Sequence, residues 1–363
     1  MKRVLVVTWD GGGNLPPMLG IAKALAARGD RVRVLGHEVQ RATIESAGLP
    51  FTPIRKGRDY VSAQPRGTID GVLGLAALFA DRGIGADARD LFAIEPADVI
   101  LVDCLLWGAM DEMASTDIPV VNVVHSIGDF FRRNARGPLG MLARLRGTNP
   151  VAALNRAALT LVTTRADFEP SMQQDARHTG FIWQGHPVAA RQEGRPQVLV
   201  SFSTTVFPGQ RKVLQRVLDA LEPLELDVVL TSGAVDPAEL RVPRNAEVVP
   251  SRDHAEILPT TSLVVGHGGH ATTARALSAG IPMLIIPMHA LMDQPDVGTA
   301  VARLGAGLTV PKSASITTIR VAVQRILADS AIRDRARQLG IEARAADGAT
   351  AAVAAIDELL ARA

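Results

Sequence analysis

A chain of 363 residues is long enough for two domains that each bury a core, and a hydrophobic content of 47% places it among globular proteins. A net charge of +2, with no dense Lys/Arg block and no basic–aromatic interleaving, argues against nucleic acid as a partner. The one cysteine, Cys104, leaves no internal disulfide or cysteine-based zinc site and suits a reducing cytoplasm, and no apolar run approaches the ~20 residues of a membrane span.

The chain opens on a buried strand, Val4 to Val7, which meets polar residues by Thr8 and so reads as a strand and not as a signal peptide. A glycine-rich loop follows, from Trp9 and Asp10 through Gly11, Gly12, Gly13 and Asn14 to Pro17. Met18 to Arg28 carries apolar residues on one helical face, Gly29 ends it, and Arg31 to Leu35 completes a βαβ unit. The loop lacks GxGxxG, so a nicotinamide cofactor is not expected. Ile44 to Pro65 reads as loops around a short strand at Phe51 to Ile54. Thr68 to Ala80 reads as a helix whose Leu75, Leu78 and Phe79 face the core.

The buried strand Ala97 to Val102 ends on Asp103, a residue suited to capping a helix that runs to about Ala114. Ile118 to Val124 is the next strand, with His125 at its carboxyl end, the side on which open α/β sheets bind ligands. Gly128 to Asn155 places Arg132, Arg133, Arg136, Arg144 and Arg146 on loops and short helices, a solvated surface. Thr160 to Thr163 and Phe181 to Trp183 read as short strands. The polar stretch around Gly185, His186 and Pro187 and on to Pro196 marks a boundary, giving a first domain over 1–187 and a linker over 188–196.

The second domain, 197–345, starts on a strand from Gln197 to Ser201. Helix Gln210 to Leu221 and strands Leu226 to Leu230 and Glu247 to Val249 follow. Leu263, Val264 and Val265 then form a strand that runs at once into Gly266, His267, Gly268 and Gly269 and a helix from Ala271 to Ala279. A strand–glycine turn–helix arrangement binds anions, because free N–H groups of the first helical turn and the helix dipole point at the ligand, and His267 can add a donor there. A strand at Met283 to Ile286 leads to Asp293 and Gln294 in the loop beyond it. Val297 to Leu304 is helical, Leu308 to Val310 a short strand, and three helices finish the chain at Thr317 to Leu327, Ile332 to Arg344 and Thr350 to Ala361. The last lies in a terminal segment, 346–363.

The stretch from Val249 to Gln294 resembles the donor-binding signature of family 1 glycosyltransferases, enzymes of the GT-B fold similar to those of bacterial natural-product and macrolide pathways. The resemblance implies two doubly wound, Rossmann-like α/β domains facing across a cleft, the acceptor mainly on the first and the nucleotide-sugar donor mainly on the second. It also implies that the final helix returns to the first domain. By this likeness His267, Gly268, Gly269 and Thr272 hold the diphosphate, Asp293 and Gln294 read sugar hydroxyls, Val249 and Pro250 lie against the nucleobase, and Ser203 and Thr204 contact the diphosphate or sugar. The loop before the first helix is similar to the family's Gly-His-x-x-Pro, with Asn14 where the family has its histidine base. Asp103, in a segment similar to Asp-x-x-x-Trp, matches the carboxylate that backs that histidine.

An asparagine amide takes no proton at neutral pH, so the acceptor's base has three candidates, Asp103, Asp10 and His125, while Asn14 can still orient the acceptor. The implied reaction is inverting transfer from a UDP- or dTDP-sugar to a small-molecule acceptor, with no cofactor and no metal, the helix terminus supplying what Mg²⁺ would otherwise give. Other readings are an idle nucleotide-sugar-binding partner of another transferase, and a lipid-linked sugar transferase or sugar-nucleotide epimerase of the same fold. A homodimer is compatible with everything above.

Overall fold

The segments RVLVV, VILVD and VVNVV are buried almost throughout, the mark of parallel strands covered on both faces. In the computed structural model of the protein, which describes residues 1–362 apart from 63, 65, 66, 170–175, 184–187, 191–193, 204, 206, 250 and 251, the chain forms two compact units. One comprises Met1–Gln184 with Asp347–Ala363, the other Gly185–Ala346. Among the described residues no helix is long and apolar enough to cross a membrane.

The first unit runs β1 (Arg3–Val7), α1 (Leu15–Ala27), β2 (Arg31–Gly36), α2 (Arg41–Ser46), β3 (Phe51–Pro53), α3 (Thr68–Phe79), α4 (Arg82–Ile94) and β4 (Val99–Asp103). It continues through α5 (Trp107–Met113), β5 (Val120–Val124), α6 (Gly128–Arg136), α7 (Pro138–Arg144), α8 (Pro150–Asn155), β6 (Leu159–Val162) and β7 (Ala176–His178). The second contains β8 (Gln197–Ser201), α9 (Gln210–Leu221), β9 (Asp227–Thr231), β10 (Ala246–Val249), α10 (His254–Ile257), β11 (Thr261–Gly266) and α11 (His270–Ser278). It ends with β12 (Met283–Ile285), α12 (Gln294–Arg303), β13 (Gly307–Thr309), α13 (Ile316–Ala328) and α14 (Ser330–Ala345), after which α15 (Gly348–Leu360) rejoins the first unit.

The sheet orders are β3-β2-β1-β4-β5-β6-β7 and β10-β9-β8-β11-β12-β13, and every strand pair is parallel. All strands of a parallel sheet deliver their following loops to the same edge. In each unit the strand order reverses once, between β1 and β4 and between β8 and β11, and loops diverge there to leave room for a ligand. The doubly wound class expected from the sequence is therefore present twice.

Four local expectations differ. The outermost strand of the first sheet is β7, and Phe181 to Trp183 is irregular. Those residues are apolar because they pack on helices: a Cβ at Gly20 of α1 would sit 2.3 Å from Ile182. Helix α4 was not legible because Gly83 and Gly85 look like breakers, yet Gly85 admits α5, where a Cβ would meet Glu112 at 2.5 Å. Asp103 closes β4 and caps no helix, since Leu106 is the residue preceding α5. Gln294 is the first residue of α12 and Asp293 its N-cap, so this pair stands at a helix start instead of in a loop.

Helix α15 lies on α1, where Ile356, Ala352, Ile21 and Leu25 share one buried cluster. All three tryptophans, Trp9, Trp107 and Trp183, fall in the first unit, so tryptophan fluorescence follows that unit alone. Ile356 is 1% exposed, and Ile356→Ala is expected to lower the unit's unfolding free energy by about 3 kcal/mol through lost transfer energy and a residual cavity. Urea unfolding followed by tryptophan emission measures this. An unmoved midpoint would detach α15 from the core.

Candidate active site

The loop after β1 and the loop after β4 meet across the first reversal of strand order. Asn14 stands at the N-cap position of α1, where an asparagine normally accepts a hydrogen bond from the second or third helical N–H. Those residues are Pro16 and Pro17, which have no N–H to give. The side chain therefore makes no cap and turns inward. Its Nδ2 donates to Asp103 Oδ2 at 2.8 Å and to the Trp9 carbonyl at 3.0 Å, while Oδ1 is buried without a partner. Three acceptors around Nδ2, counting Thr8 Oγ1 at 3.4 Å, fix which end of the amide faces them.

Asp103 is wholly buried. Its Oδ1 accepts from Trp9 Nε1 at 3.1 Å and from the Leu105 backbone N–H at 3.0 Å, and its Oδ2 faces His125 Nδ1 at 3.4 Å besides Asn14. Burial alone pushes this carboxyl up, but the His125 charge and the hydrogen bonds from His125, Leu105 and Asn14 outweigh it and hold the group below the usual carboxylate range. Asp103, Cys104 and His125 bring three potential metal donors within 4.8 Å of one another. With four donors already on the carboxylate, the corner is built to hold a charge by hydrogen bonds and not to offer free lone pairs to a cation. Asp10 is engaged elsewhere: its Oδ2 accepts from the Ser62 N–H at 2.7 Å and its own N–H donates to His37 Nδ1 at 3.1 Å. Trp9, not expected from the sequence, ties the corner to an aromatic chain through edge contacts with Tyr60 and Phe79.

In the second unit, β11 ends at Gly266 and the chain turns through His267, Gly268 and Gly269 into α11. Gly268 has φ +87°, and a Cβ there would lie 2.9 Å from the Gln294 carbonyl and 3.0 Å from Ile285. The glycine thus lets the turn touch the start of α12. Gln294 is 3% exposed, and its Oε1 accepts from the N–H groups of Met288 at 2.7 Å and His289 at 3.1 Å, which leaves its amide nitrogen as the group to present. Thr272 lies in the first turn of α11. Ser203 follows β8, the neighbour of β11, and its Oγ accepts from the Thr205 N–H at 2.9 Å. Val249 ends β10, the edge strand two places from β8 and so roughly 10 Å away. Thr204 and Pro250 lie outside the described residues.

His267 is flanked by Phe202 and Phe207. Burial lowers its pKa to about 4, against a small raising effect of a hydrogen bond to the Ser201 backbone, and its Nδ1 is buried with no partner. The ring is therefore neutral at pH 7 with one orphaned nitrogen. His254, also pushed down to about 4 chiefly by burial, has its Nε2 3.1 Å from Ser201 Oγ.

A group whose folded pKa is about 4 and whose unfolded value is 6.5 binds more protons when unfolded between those pH values, so the folded state loses stability as pH falls from about 6.5 to about 4. For His267 the loss totals about 3 kcal/mol. Calorimetric melting at pH 7 and pH 4.5 is expected to show a smaller acid shift in His267→Gln than in the wild type. Equal shifts would mean that the ring is not buried neutral. Gly268→Ala, which strains the backbone and pushes the Gln294 carbonyl, is expected to lower the unfolding free energy by about 1–3 kcal/mol, read from the calorimetric melting temperature.

Comparison with known proteins bears on the fold and on the family the chain resembles. The family model described as "Erythromycin biosynthesis protein CIII-like, C-terminal domain" matches residues 215–359. The chain is 29% identical to 4'-demethylrebeccamycin synthase of Lentzea aerocolonigenes over 99% of each chain. Among solved structures, the calicheamicin glycosyltransferase CalG4 superposes with a TM-score of 0.80 at 21% identity, over 100% of this chain and 99% of that one. The glycosyltransferase VinC, solved in complex with dTDP, gives 0.78 at 21% identity over 99% and 100%. The chain has the GT-B fold and is similar over its whole length to glycosyltransferases of bacterial natural-product pathways.

Proposed function

We propose that the protein moves a sugar from a dTDP- or UDP-sugar to a small-molecule acceptor of the secondary-metabolite kind, with inversion at the anomeric carbon and without a metal ion. The observation that carries this reading is the meeting of the His267–Gly268–Gly269 turn with the start of α12 at the reversal of strand order. There the first N–H groups of α11 and the positive end of its dipole can take the diphosphate, and the departing charge is stabilised by groups that need no reorganisation. A dTDP-bound structural neighbour supports the donor class. In this reading Asp293 and the Gln294 amide bind sugar hydroxyls, Ser203 and Thr272 contact the phosphates, and Val249 lies against the base.

The neutral ring of His267 adds a consequence. A diphosphate oxygen only accepts, so the orphaned Nδ1 must gain a proton to serve it, and the bound anion raises the ring's pKa from about 4. Nucleotide binding near pH 6 then takes up protons.

Isothermal titration of dTDP and UDP into the wild type, with and without EDTA, tests the proposal. The expected result is micromolar-range binding that survives EDTA, an enthalpy that changes with buffer ionisation enthalpy, and a loss of about 1–3 kcal/mol in His267→Ala. Absence of binding by both nucleotides would overturn the donor assignment, and binding abolished by EDTA would overturn metal independence.

A further inference from the structure

Asn14 occupies the place of the base but has no means of accepting a proton, and Asp103, at 0% exposure with both oxygens engaged, cannot reach an acceptor. One basic side chain adjoins this carboxylate. Asp103 pairs in register with Val123, so His125, two residues farther along β5, comes to the same carboxyl edge of the sheet. Its Nδ1 is 3.4 Å from Asp103 Oδ2 and 3.7 Å from Cys104 Sγ, and Phe131 of α6 packs edge-on against the ring at 4.9 Å. With Nδ1 turned to the carboxylate, Nε2 points the other way, and no described residue hydrogen-bonds it; the side chain keeps 14% of its surface.

Cys104 and Phe131, the two residues against the ring, also line a cavity of about 760 Å³ in the first unit, walled besides by Asn122, Arg132 and Thr160. Asn122 is a polar residue inside a buried strand. It is 3% exposed, donates Nδ2 to Thr160 Oγ1 at 3.3 Å and leaves its buried Oδ1 without a partner. An unmet acceptor in a cavity wall is suited to a ligand that brings its own donor, although His125 does not itself line this space.

We infer that His125, positioned by Asp103, is the catalytic base. The inference rests on the glycosyl-transfer reading above. The acceptor's O–H or N–H proton passes to His125 Nε2 while its electron pair forms the bond to the anomeric carbon. The bond from that carbon to the diphosphate oxygen breaks with its electrons on the nucleoside diphosphate, and the imidazolium returns its proton to water. Asp103 holds the Nδ1–H tautomer and balances the positive ring, and Asn14 keeps the carboxylate aimed. The work expected of a loop histidine after β1 then falls to the far side of the carboxylate, two strands along the sheet at the end of β5.

Two measurements on the full chain test this. The first is long-range ¹H–¹⁵N NMR of the histidine rings at pH 8, with His125 identified by its absence in His125→Gln. Wild type is expected to show Nδ1–H with a bare Nε2, and Asp103→Asn to shift His125 toward the other tautomer. A protonated Nε2 in the wild type, as a Cys104 thiol donating to Nδ1 would give, overturns the inference. The second is turnover of 4-methylumbelliferone with dTDP-glucose and UDP-glucose. His125→Gln is expected to lose about a hundredfold or more in kcat, and adding Asn14→His to that variant to restore at least tenfold by returning a base to the loop. Undiminished turnover in His125→Gln overturns it too. Intact dTDP or UDP binding in the variants keeps such a failure separate from failure of the donor assignment.

Discussion

A carboxylate sealed from water at the end of β4 sets the terms for the first unit's carboxyl edge. An ionised group in that position is tolerable only if every lone pair meets a donor, and the donors of Asp103 come from the loop after β1, from its own following turn and from the end of β5. Three segments distant in sequence are thereby held to one point. The loop could otherwise wander, since it carries Gly11, Gly12 and Gly13 in succession. Trp9 and Asn14, at either end of those glycines, are both fastened to the same carboxylate.

The second unit solves the opposite problem. Its edge buries a neutral imidazole with an unmet nitrogen, and two helices start beside it, an arrangement suited to an anion. In the first corner every oxygen of the buried carboxylate meets a donor, whereas the glycine turn keeps an unmet imidazole nitrogen. That contrast fits an acceptor side that must be rigid and a donor side whose electrostatics respond to the diphosphate.

Most of the architecture was legible because parallel strands buried on both faces read as continuous apolar runs, and because glycines at Gly268 and Gly280 mark positive φ where only glycine is at ease. The glycine turn, Asp293, Gln294 and Asp103 could be named from their places in the strand pattern. What could not be read were long-range consequences of local features. Pro16 and Pro17 say that α1 starts there, but that they free Asn14 to turn inward depends on a partner 89 residues away. Phe181 and Ile182 look like a strand because apolarity reports burial without saying what does the burying. The same limit holds for Asp10, whose Oδ2 accepts from the Ser62 N–H, 52 residues away. Asn122 gave no signal at all, since a single polar residue in VVNVV has no periodicity to betray a cavity.

The return of α15 to the first unit has a bearing on how the chain is made. The face formed by Val4, Ile21 and Leu25 is covered by residues 348–360, so the cluster that contains the earliest strand is finished by one of the latest helices. On a ribosome, the second unit, continuous over Gly185–Ala346, has all its residues available first, while α1 waits for the helix that packs on it. Contacts of such sequence separation are slow to close. The order of emergence therefore differs from the order of completion, and the interval between them is when the nascent chain most needs protection from aggregation.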